Sequence, residues 1–410
     1  MSPTSYRTAP PRDENDYITT ASVSPLPKMV LRGAHRADAE ASRMASDSLA
    51  ARIPKIHLHC HLEGSLRAQT FVELAGKHGV PLRYRPKLSE SSFETRAARA
   101  PQDDIAARVP RDDTEGVDPY RFESFEEFLY IFAAVSRSLQ EPEDYGRLAR
   151  EFVEDALAQS VIYGELFISP SVWTFFNPRL DLRATMEAIV TELRSARPHA
   201  IFKLLPDLTR NFGAQSALET ARAAATMSDL DVIGVSLGGD EVRFPAELFT
   251  DAFAYARAQG LHCVAHAGEA AGPQSVRSAV VDLQAERIGH GIRALEDPAT
   301  VEMLAERGIA LEICPTSNRL TGSELPRYPN PQLDFDRAGC IVTIDCDDPA
   351  IFRTSIGEEY ERVEAIAGTG ALQRYVRNAI AASFAAPDLK RAMESQLDAA
   401  ITELPAAHGS

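Results

Sequence analysis

The chain has 410 residues, of which 44% are hydrophobic and 25% are charged, so it holds enough apolar material for a sizeable core. Its 59 acidic and 43 basic residues give a formal net charge of −16. This charge excludes a general nucleic-acid-binding protein, because such a protein needs a basic surface to neutralise phosphates. The length fits two or three domains, or a single α/β barrel with insertions.

The N-terminal region is polar and has no basic start followed by an apolar core, so no secretory signal is predicted. No apolar run is long enough to cross a membrane. Five scattered cysteines give no disulfide framework. These features predict a cytoplasmic protein whose residues 1–50 form a polar, partly disordered extension, with a short helix around 39–51.

Apolar runs alternate with helical patterns from residue 53 onwards. The first predicted strand lies in IPKIHLHCHL, and the helix that follows has apolar residues at helical spacing and ends at a glycine. Residues 85–119 are polar, charged and interrupted by prolines, and they hold too few apolar residues to form a core. We therefore expect a surface insertion there and not a second domain.

Two further helices, at 122–139 and 145–160, precede a regular alternation of strands and helices. Eight strands are predicted in all, at 55–61, 161–168, 200–207, 232–238, 261–266, 286–290, 309–314 and 341–346. Strands that alternate with helices form parallel βαβ units. Eight such units predict an α/β fold, a closed (β/α)8 TIM barrel, as one domain over residues 51–405. The turn after the first strand, HLEGSLR, lacks the G-x-G-x-x-G pattern of an open dinucleotide-binding sheet.

Polar residues close several of the apolar runs, at the strand ends where a TIM barrel carries its catalytic residues. They are His59 and His61 after the first strand, His266 and Glu269 after the fifth, His290 after the sixth, and Asp347 and Asp348 after the eighth. Side chains alternate along a strand, so His59 and His61 point to the same face. Two imidazoles on one face, a third across the barrel and a carboxylate suit a divalent metal, with zinc favoured.

Each of these signals has a simpler explanation when it is taken alone. A single histidine at a strand end is usually structural, and the sequence DDP at 347–349 is typical of a turn or a helix start. His57 alternates in step with His59 and His61, so periodicity does not exclude it as a ligand. We expect it to lie in the barrel interior, hydrogen-bonded beneath the site. Glu241 either has a functional role or begins the next helix.

Seven segments, in this order, resemble the signatures of the adenosine/adenine deaminase family of the metal-dependent amidohydrolase superfamily: PKIHLHCHLEGSL, VIYGELFISP, GVSLGGDE, VAHAGE, RIGHG, EICPTSN and VTIDCDDP. The resemblance runs from about residue 54 to beyond residue 348. It implies hydrolytic deamination of a small purine, with one Zn²⁺ ion per chain.

The resemblance also implies a role for each site residue. The zinc ligands would be His59, His61, His266 and Asp347. Glu269 would protonate the purine ring while a zinc-bound hydroxide attacks C6, and His290 would orient or deprotonate the bound water. Asp348 would contact the ring at N7, the backbone of Gly239 would contact N3, and Glu63 would bind substrate.

The substrate itself is less clearly indicated. Glu63 stands where adenosine deaminases typically resemble HLDG, with an Asp that holds the ribose, and Glu is more usual in the adenine deaminases. Phe167 stands where nucleoside deaminases often have Arg, whereas SLGGDE is more similar to the nucleoside enzymes. We expect adenosine, converted to inosine and ammonia. Free adenine and a modified adenine nucleoside are the alternatives.

Two other readings of the barrel compete with deamination. A related hydrolase that cleaves amides or esters would often use two metals and a modified Lys after the fourth strand, but SLGGDE has no Lys. A non-catalytic ligand-binding barrel would be expected to lose the acid or a ligand, yet every position is filled. We expect no nucleic-acid or membrane partner, and the sequence leaves a homo-oligomer open.

Overall fold

The computed structural model describes residues 48–83 and 118–402. The predicted extension before residue 48 and most of the predicted insertion at 85–119 lie outside the described residues. Within them, helix α1 (Leu49–Arg52) begins at Ser48, whose side chain accepts a hydrogen bond from the backbone N–H of Ala51 at 3.1 Å. The predicted short helix near residue 51 is therefore present in its last turn.

Eight parallel strands form the centre of the molecule, near the predicted positions. They are β1 (Lys55–His61), β2 (Val161–Ile168), β3 (Ile201–Pro206), β4 (Gly234–Val235), β5 (His262–Ala267), β6 (Arg287–His290), β7 (Ala310–Ile313) and β8 (Ile341–Ile344). Their side chains alternate between the barrel interior and the surrounding helices. β4 is shorter than predicted, although bridges at Val232 and Ser236 extend its pairing to β3.

The strands close into a cylinder in chain order. β1 to β3 pair in one sheet and β4 to β8 in another. The Leu204–Val232 bridge joins β3 to the β4 segment, and the Cys60–Asp347 bridge joins the end of β8 to β1. The backbone N–H of His61 donates to the carbonyl of Asp347 at 2.9 Å across this last seam. The predicted (β/α)8 barrel is confirmed.

Amphipathic helices cover the outside of the barrel and bury one face against the strands. Several begin at a Ser or Asp whose side chain accepts a backbone hydrogen bond, as Asp181 does from Ala184 at 3.0 Å. The remaining described α-helices are α2 (Ala68–His78), α3 (Phe125–Ser138), α4 (Pro142–Ala158), α5 (Pro170–Phe176), α6 (Leu182–Ser195), α7 (Gly213–Ala224), α8 (Thr250–Ala258), α9 (Pro273–Val281), α10 (Pro298–Arg307), α11 (Pro315–Leu320), α12 (Pro331–Arg337), α13 (Pro349–Phe352), α14 (Ile356–Ala367), α15 (Thr369–Ala382) and α16 (Pro387–Thr402). Among the described helices, none has the length and apolar content that a membrane span requires.

The position of His57 differs from the prediction. β1 pairs with β2 through His57–Gly164 and Cys60–Leu166, so β1 holds one extra residue between these two pairs. Such a bulge reverses the alternation of side chains along a strand. The His57 ring accordingly stacks on Phe152 of α4, at 6.4 Å between centroids, and its Nε2 lies 3.1 Å from Cys346 Sγ. The expectation that His57 lies in the barrel interior was wrong.

Candidate active site

Four side chains converge at the carboxyl end of the barrel: His59, His61, His266 and Asp347. Each offers one ligand atom, and these atoms all lie within 4.8 Å of one another. His61 Nε2 is 3.2 Å from His266 Nε2, and Asp347 Oδ1 is 3.4 Å from Nε2 of both His59 and His61. The structure thus brings together the four residues that the resemblance implied as metal ligands.

The chemical state of these groups fits a metal ion. Burial lowers the pKa of His61 and His266, so both imidazoles stay neutral and keep a lone pair. Burial alone would raise the pKa of Asp347, but the adjacent His59 holds it well below its usual range, so this carboxylate is ionised. His59 Nε2 is buried and has no hydrogen-bond partner among residues 48–83 and 118–402. Three nitrogens and one carboxylate oxygen form a donor set that suits zinc.

The backbone holds Asp347 in an unusual conformation. Its φ is 65°, in the left-handed region that non-glycine residues rarely adopt. The backbone N–H of Asp347 donates to His59 O at 3.1 Å, and Ser317 Oγ donates to Asp347 Oδ2 at 2.7 Å. Because the first of these contacts is part of the seam that closes the barrel, the strand pairing itself fixes this candidate ligand. Nothing in the local sequence around Ser317 indicates this role.

A chain of buried charges supports His59 from below. His59 Nδ1 is 2.8 Å from Glu312 Oε2, and Arg287 Nε donates to Glu312 Oε1 at 2.6 Å. Burial alone would raise the pKa of Glu312, but Arg287 keeps it below its usual value, so Glu312 is a carboxylate and Nδ1 carries the proton. Burial alone would lower the pKa of His59, but Asp347 and Glu312 raise it to about 10, so without a metal ion Nε2 also carries a proton, which a metal ion bound at this nitrogen would displace. Arg287 Nη2 also lies 2.6 Å from Glu165 Oε2, and its guanidinium stacks over Phe384 at 4.0 Å.

The sequence reasoning did not assign roles to Glu312 and Arg287. Both are fully enclosed, and both lie in short strands, ALEI and RIGH, whose other residues are apolar apart from His290. Their roles could have been suspected because each is a charged residue at an inward position of a barrel strand. A charge in that position needs a buried partner. Gly289, two residues after Arg287, has no room for a Cβ beside the His59 ring.

Glu269 and His290 lie beside the metal-ligand cluster. His290 Nε2 is 3.7 Å from Glu269 Oε2 and 4.0 Å from Asp347 Oδ2. Burial, with the nearby charge of Asp347, raises the pKa of Glu269 to about 8, so the side chain is mainly a neutral acid at pH 7. Burial lowers the pKa of His290 to about 3 and keeps its ring neutral. The side-chain amide of Asn318, another residue given no role from sequence, lies 3.0 Å from His290 Nδ1.

Two predicted substrate-binding residues, Asp348 and Gly239, are tightly packed against neighbouring segments of the chain. Burial and the neighbouring Asp347 raise the pKa of Asp348 well above its usual range, so this acid is protonated and able to donate. A Cβ on Gly64 would overlap the Asp348 carboxyl group, which explains the glycine in HLEGS. Gly239 has a φ of 97°, and a Cβ there would collide with the amide oxygen of Asn211.

Glu63 is fully buried in the wall of the site. Its Oε1 accepts hydrogen bonds from the backbone N–H of Ser169 at 2.8 Å and from Trp173 Nε1 at 2.7 Å. Its Oε2 is buried and has no hydrogen-bond partner among the residues that the structure describes. Burial raises the pKa of Glu63 to about 7. Oε1 of this carboxyl group therefore holds the local structure, and Oε2 is available to a further hydrogen-bond donor.

Comparison with known proteins gives consistent matches. The family model described as adenosine deaminase matches residues 97–400. The chain is 33% identical over 356 residues to the aminodeoxyfutalosine deaminase of Streptomyces coelicolor, covering 85% of this chain and 84% of that protein. It is 35% identical over 311 residues to the adenosine deaminase of Serratia proteamaculans, covering 75% of this chain and 86% of that protein. The fold is similar to the crystal structure of an amidohydrolase from Burkholderia ambifaria with bound Zn, with a TM-score of 0.71 and 26% identity over 88% of this chain and 94% of that one.

Proposed function

The chain belongs to the adenosine deaminase family, and from that premise we propose that it is a zinc enzyme that converts adenosine to inosine and ammonia. Membership makes the chain a hydrolase that deaminates an aminopurine and depends on a metal. Two points are proposed beyond family membership: the metal is a single zinc ion per chain, and the substrate is adenosine.

The observation that carries the proposal is the pairing of a neutral, largely enclosed acid, Glu269, with the cluster formed by His59, His61, His266 and Asp347. Zinc held by that cluster would supply a hydroxide nucleophile at neutral pH, because the ion lowers the pKa of water from about 15.7 to about 7. Addition at C6 places negative charge on the purine ring, so the ring nitrogen needs a proton at that moment. With its pKa raised to about 8, Glu269 holds that proton at neutral pH.

The other residues bind and orient the substrate. His290 is neutral and lies between Glu269 and Asp347, where it would orient or deprotonate the attacking water. Protonated Asp348 donates a hydrogen bond to N7, which is an acceptor in every adenine ring. We assign the contact with N3 to the backbone of Gly239, whose φ of 97° and close packing against Asn211 leave no room for a side chain.

Although Glu at position 63 is more usual in the adenine deaminases, the surroundings of the Glu63 carboxyl group favour adenosine over free adenine. Its buried Oε2 lacks a hydrogen-bond partner within the described ranges 48–83 and 118–402, and a substrate hydroxyl would satisfy it. Adenosine carries ribose hydroxyls, whereas adenine has none. The two relatives that match at 33% and 35% identity are described as acting on aminodeoxyfutalosine and on adenosine. A modified adenine nucleoside is therefore the second candidate, and free adenine is the third.

The test is ammonia release from adenosine, deoxyadenosine, adenine and aminodeoxyfutalosine by zinc-loaded protein, with Glu269→Gln as the control. We expect the highest kcat/KM with adenosine and no release above background from the variant. A clear preference for adenine would refute the nucleoside assignment. Release that persists in Glu269→Gln would refute the role of the acid, and a metal content other than one zinc per chain would refute the metal assignment.

A further inference from the structure

Glu241, in the segment GGDE, binds a turn of the backbone, and no hydrogen bond or ion pair joins its carboxylate to another side chain among the described residues. Its side chain is buried, and its two carboxylate oxygens accept hydrogen bonds from four consecutive backbone N–H groups. Oε1 accepts from Gly268, and Oε2 accepts from Glu269, Ala270 and Ala271 at 3.2, 2.9 and 2.9 Å. We name residues 268–271 the acid turn. Successive N–H groups that point at one anion form an anion-binding concavity, and Glu241 occupies it.

The acid turn and the adjacent metal ligand are held by different side chains. Arg293 contacts the carbonyl side of the acid turn: its backbone N–H donates to Gly268 O at 2.9 Å and its Nε donates to Glu269 O at 3.2 Å. His266 is held separately, because Arg210 Nη2 donates to its carbonyl at 2.7 Å. A change confined to Glu241 therefore removes hydrogen bonds of the turn that carries the acid, whereas the hydrogen bond that anchors the ligand keeps both partners, although Arg210 loses the nearby charge of Glu241.

We propose that Glu241 is a positioning residue, whose carboxylate fixes the acid turn so that Glu269 meets the ring of the substrate. The inference rests on the proposed function, because Glu269 needs this position only if it protonates a substrate. Without an acceptor, four buried N–H groups would be unsatisfied, and the turn would rotate towards other partners. A displacement of the acid by about 1 Å costs roughly 10²-fold in rate.

Glu241→Gln tests the proposal with little change in volume. An amide has one acceptor oxygen, so either the N–H of Gly268 or the three other N–H groups lose their partner. We expect kcat to fall roughly 10²-fold with little change in KM, because the acid acts in the transition state and not in binding. The variant should retain as much zinc as the wild type. Hydrogen exchange should become faster for the amides of the acid turn and stay unchanged in β5.

Glu247→Gln is the matched control. Glu247 is an exposed carboxylate on the segment that follows Glu241, and it accepts a hydrogen bond from Ser278 Oγ at 3.0 Å. It should match the wild type in kcat, zinc content and exchange. A wild-type kcat in Glu241→Gln would overturn the proposal. A variant that binds less zinc and also has a changed KM would overturn it as well.

Two further results separate this inference from the proposed function. If the wild type deaminates none of the aminopurines, the proposed function fails, and unchanged exchange of the acid turn in Glu241→Gln would independently overturn the anchoring. If Glu241→Gln does not fold, Glu241→Asp keeps the charge and shortens the side chain by one methylene. We expect that variant to fold with faster exchange confined to the acid turn and an intermediate kcat. Wild-type exchange and kcat in it would count against the proposal.

Discussion

Replacing Glu312 by Gln should weaken zinc binding from beneath the site, without touching a ligand. Glu312 accepts one hydrogen bond from His59 and another from Arg287. The single oxygen of a Gln amide can serve only one of them, and its NH2 group would face the other donor. His59 would then lose the contact that fixes its protonation and its ring orientation.

Both parts of the expected loss can be estimated. Removing an orienting partner of a metal-bound histidine typically costs about 10- to 100-fold in metal affinity, or about 1.4–2.7 kcal/mol. Breaking a buried ion pair costs about 3–5 kcal/mol of folding free energy. Because Arg287 keeps Glu165 as a second partner, we expect the lower end, about 3 kcal/mol. The zinc dissociation constant comes from competition with a chelating dye, and the free energy of unfolding from urea titration of metal-free protein.

Glu165→Gln separates the two effects. It removes the other carboxylate beside Arg287, where Glu165 also accepts hydrogen bonds from Tyr163 and from the backbone N–H of Phe384, at 2.7 and 2.6 Å. No contact joins Glu165 to His59 among the hydrogen bonds and ion pairs of the described residues. We expect a similar loss of stability with unchanged zinc affinity. Equal zinc loss in both variants, or wild-type zinc affinity in Glu312→Gln, would refute the assignment of Glu312 to the orientation of His59.

Three other predictions concern the site itself. Glu269→Gln should keep zinc and bind substrate while losing about 10²- to 10⁴-fold in kcat, and turnover with zinc-loaded protein checks this. Asp347→Ala should lose zinc, whereas Asp348→Asn should keep it and lose substrate affinity or turnover; metal analysis of both decides, and equal metal loss would contradict the division of roles. In the wild type, kcat should fall as the pH rises through about 8, because Glu269 must be protonated to donate and loses its proton above that value. A profile that is flat from pH 7 to 9 would be inconsistent with this role.

The sequence was sufficient to predict the barrel and, through the family resemblance, to single out four candidate metal ligands that the structure brings together. Each strand is a short apolar run, and polar residues that close such runs lie together at the carboxyl end of a parallel barrel. For His59 and His61, alternation along β1 placed both rings on the same face, and the structure agrees. His57, two residues before His59, shows where the rule of alternating side chains fails. A bulge depends on how β1 pairs with β2, and nothing in the local alternation of residues reports it.

The supporting residues were harder to predict because their roles depend on contacts between distant segments. Glu312 and Arg287 lie on neighbouring strands, and they come into contact only when β6 pairs with β7. The role of Ser317 likewise depends on Asp347, thirty positions along the chain. Reactive side chains at the ends of strands can be predicted from the sequence. The buried residues that orient those side chains cannot, because they are determined by packing between elements that are distant in the chain.

The charge chain beneath His59 also fixes when the metal site can be completed during synthesis. His59 emerges early, but the ligand Asp347 emerges late, and Arg287 is held by the carbonyl of Ala382 and the ring of Phe384, which emerge later still. A chain still attached to the ribosome before these residues appear lacks both the fourth ligand and the floor of the barrel. Stable uptake of the metal ion is therefore expected only after almost the whole barrel domain has been made, so metal loading would report on the completeness of the fold.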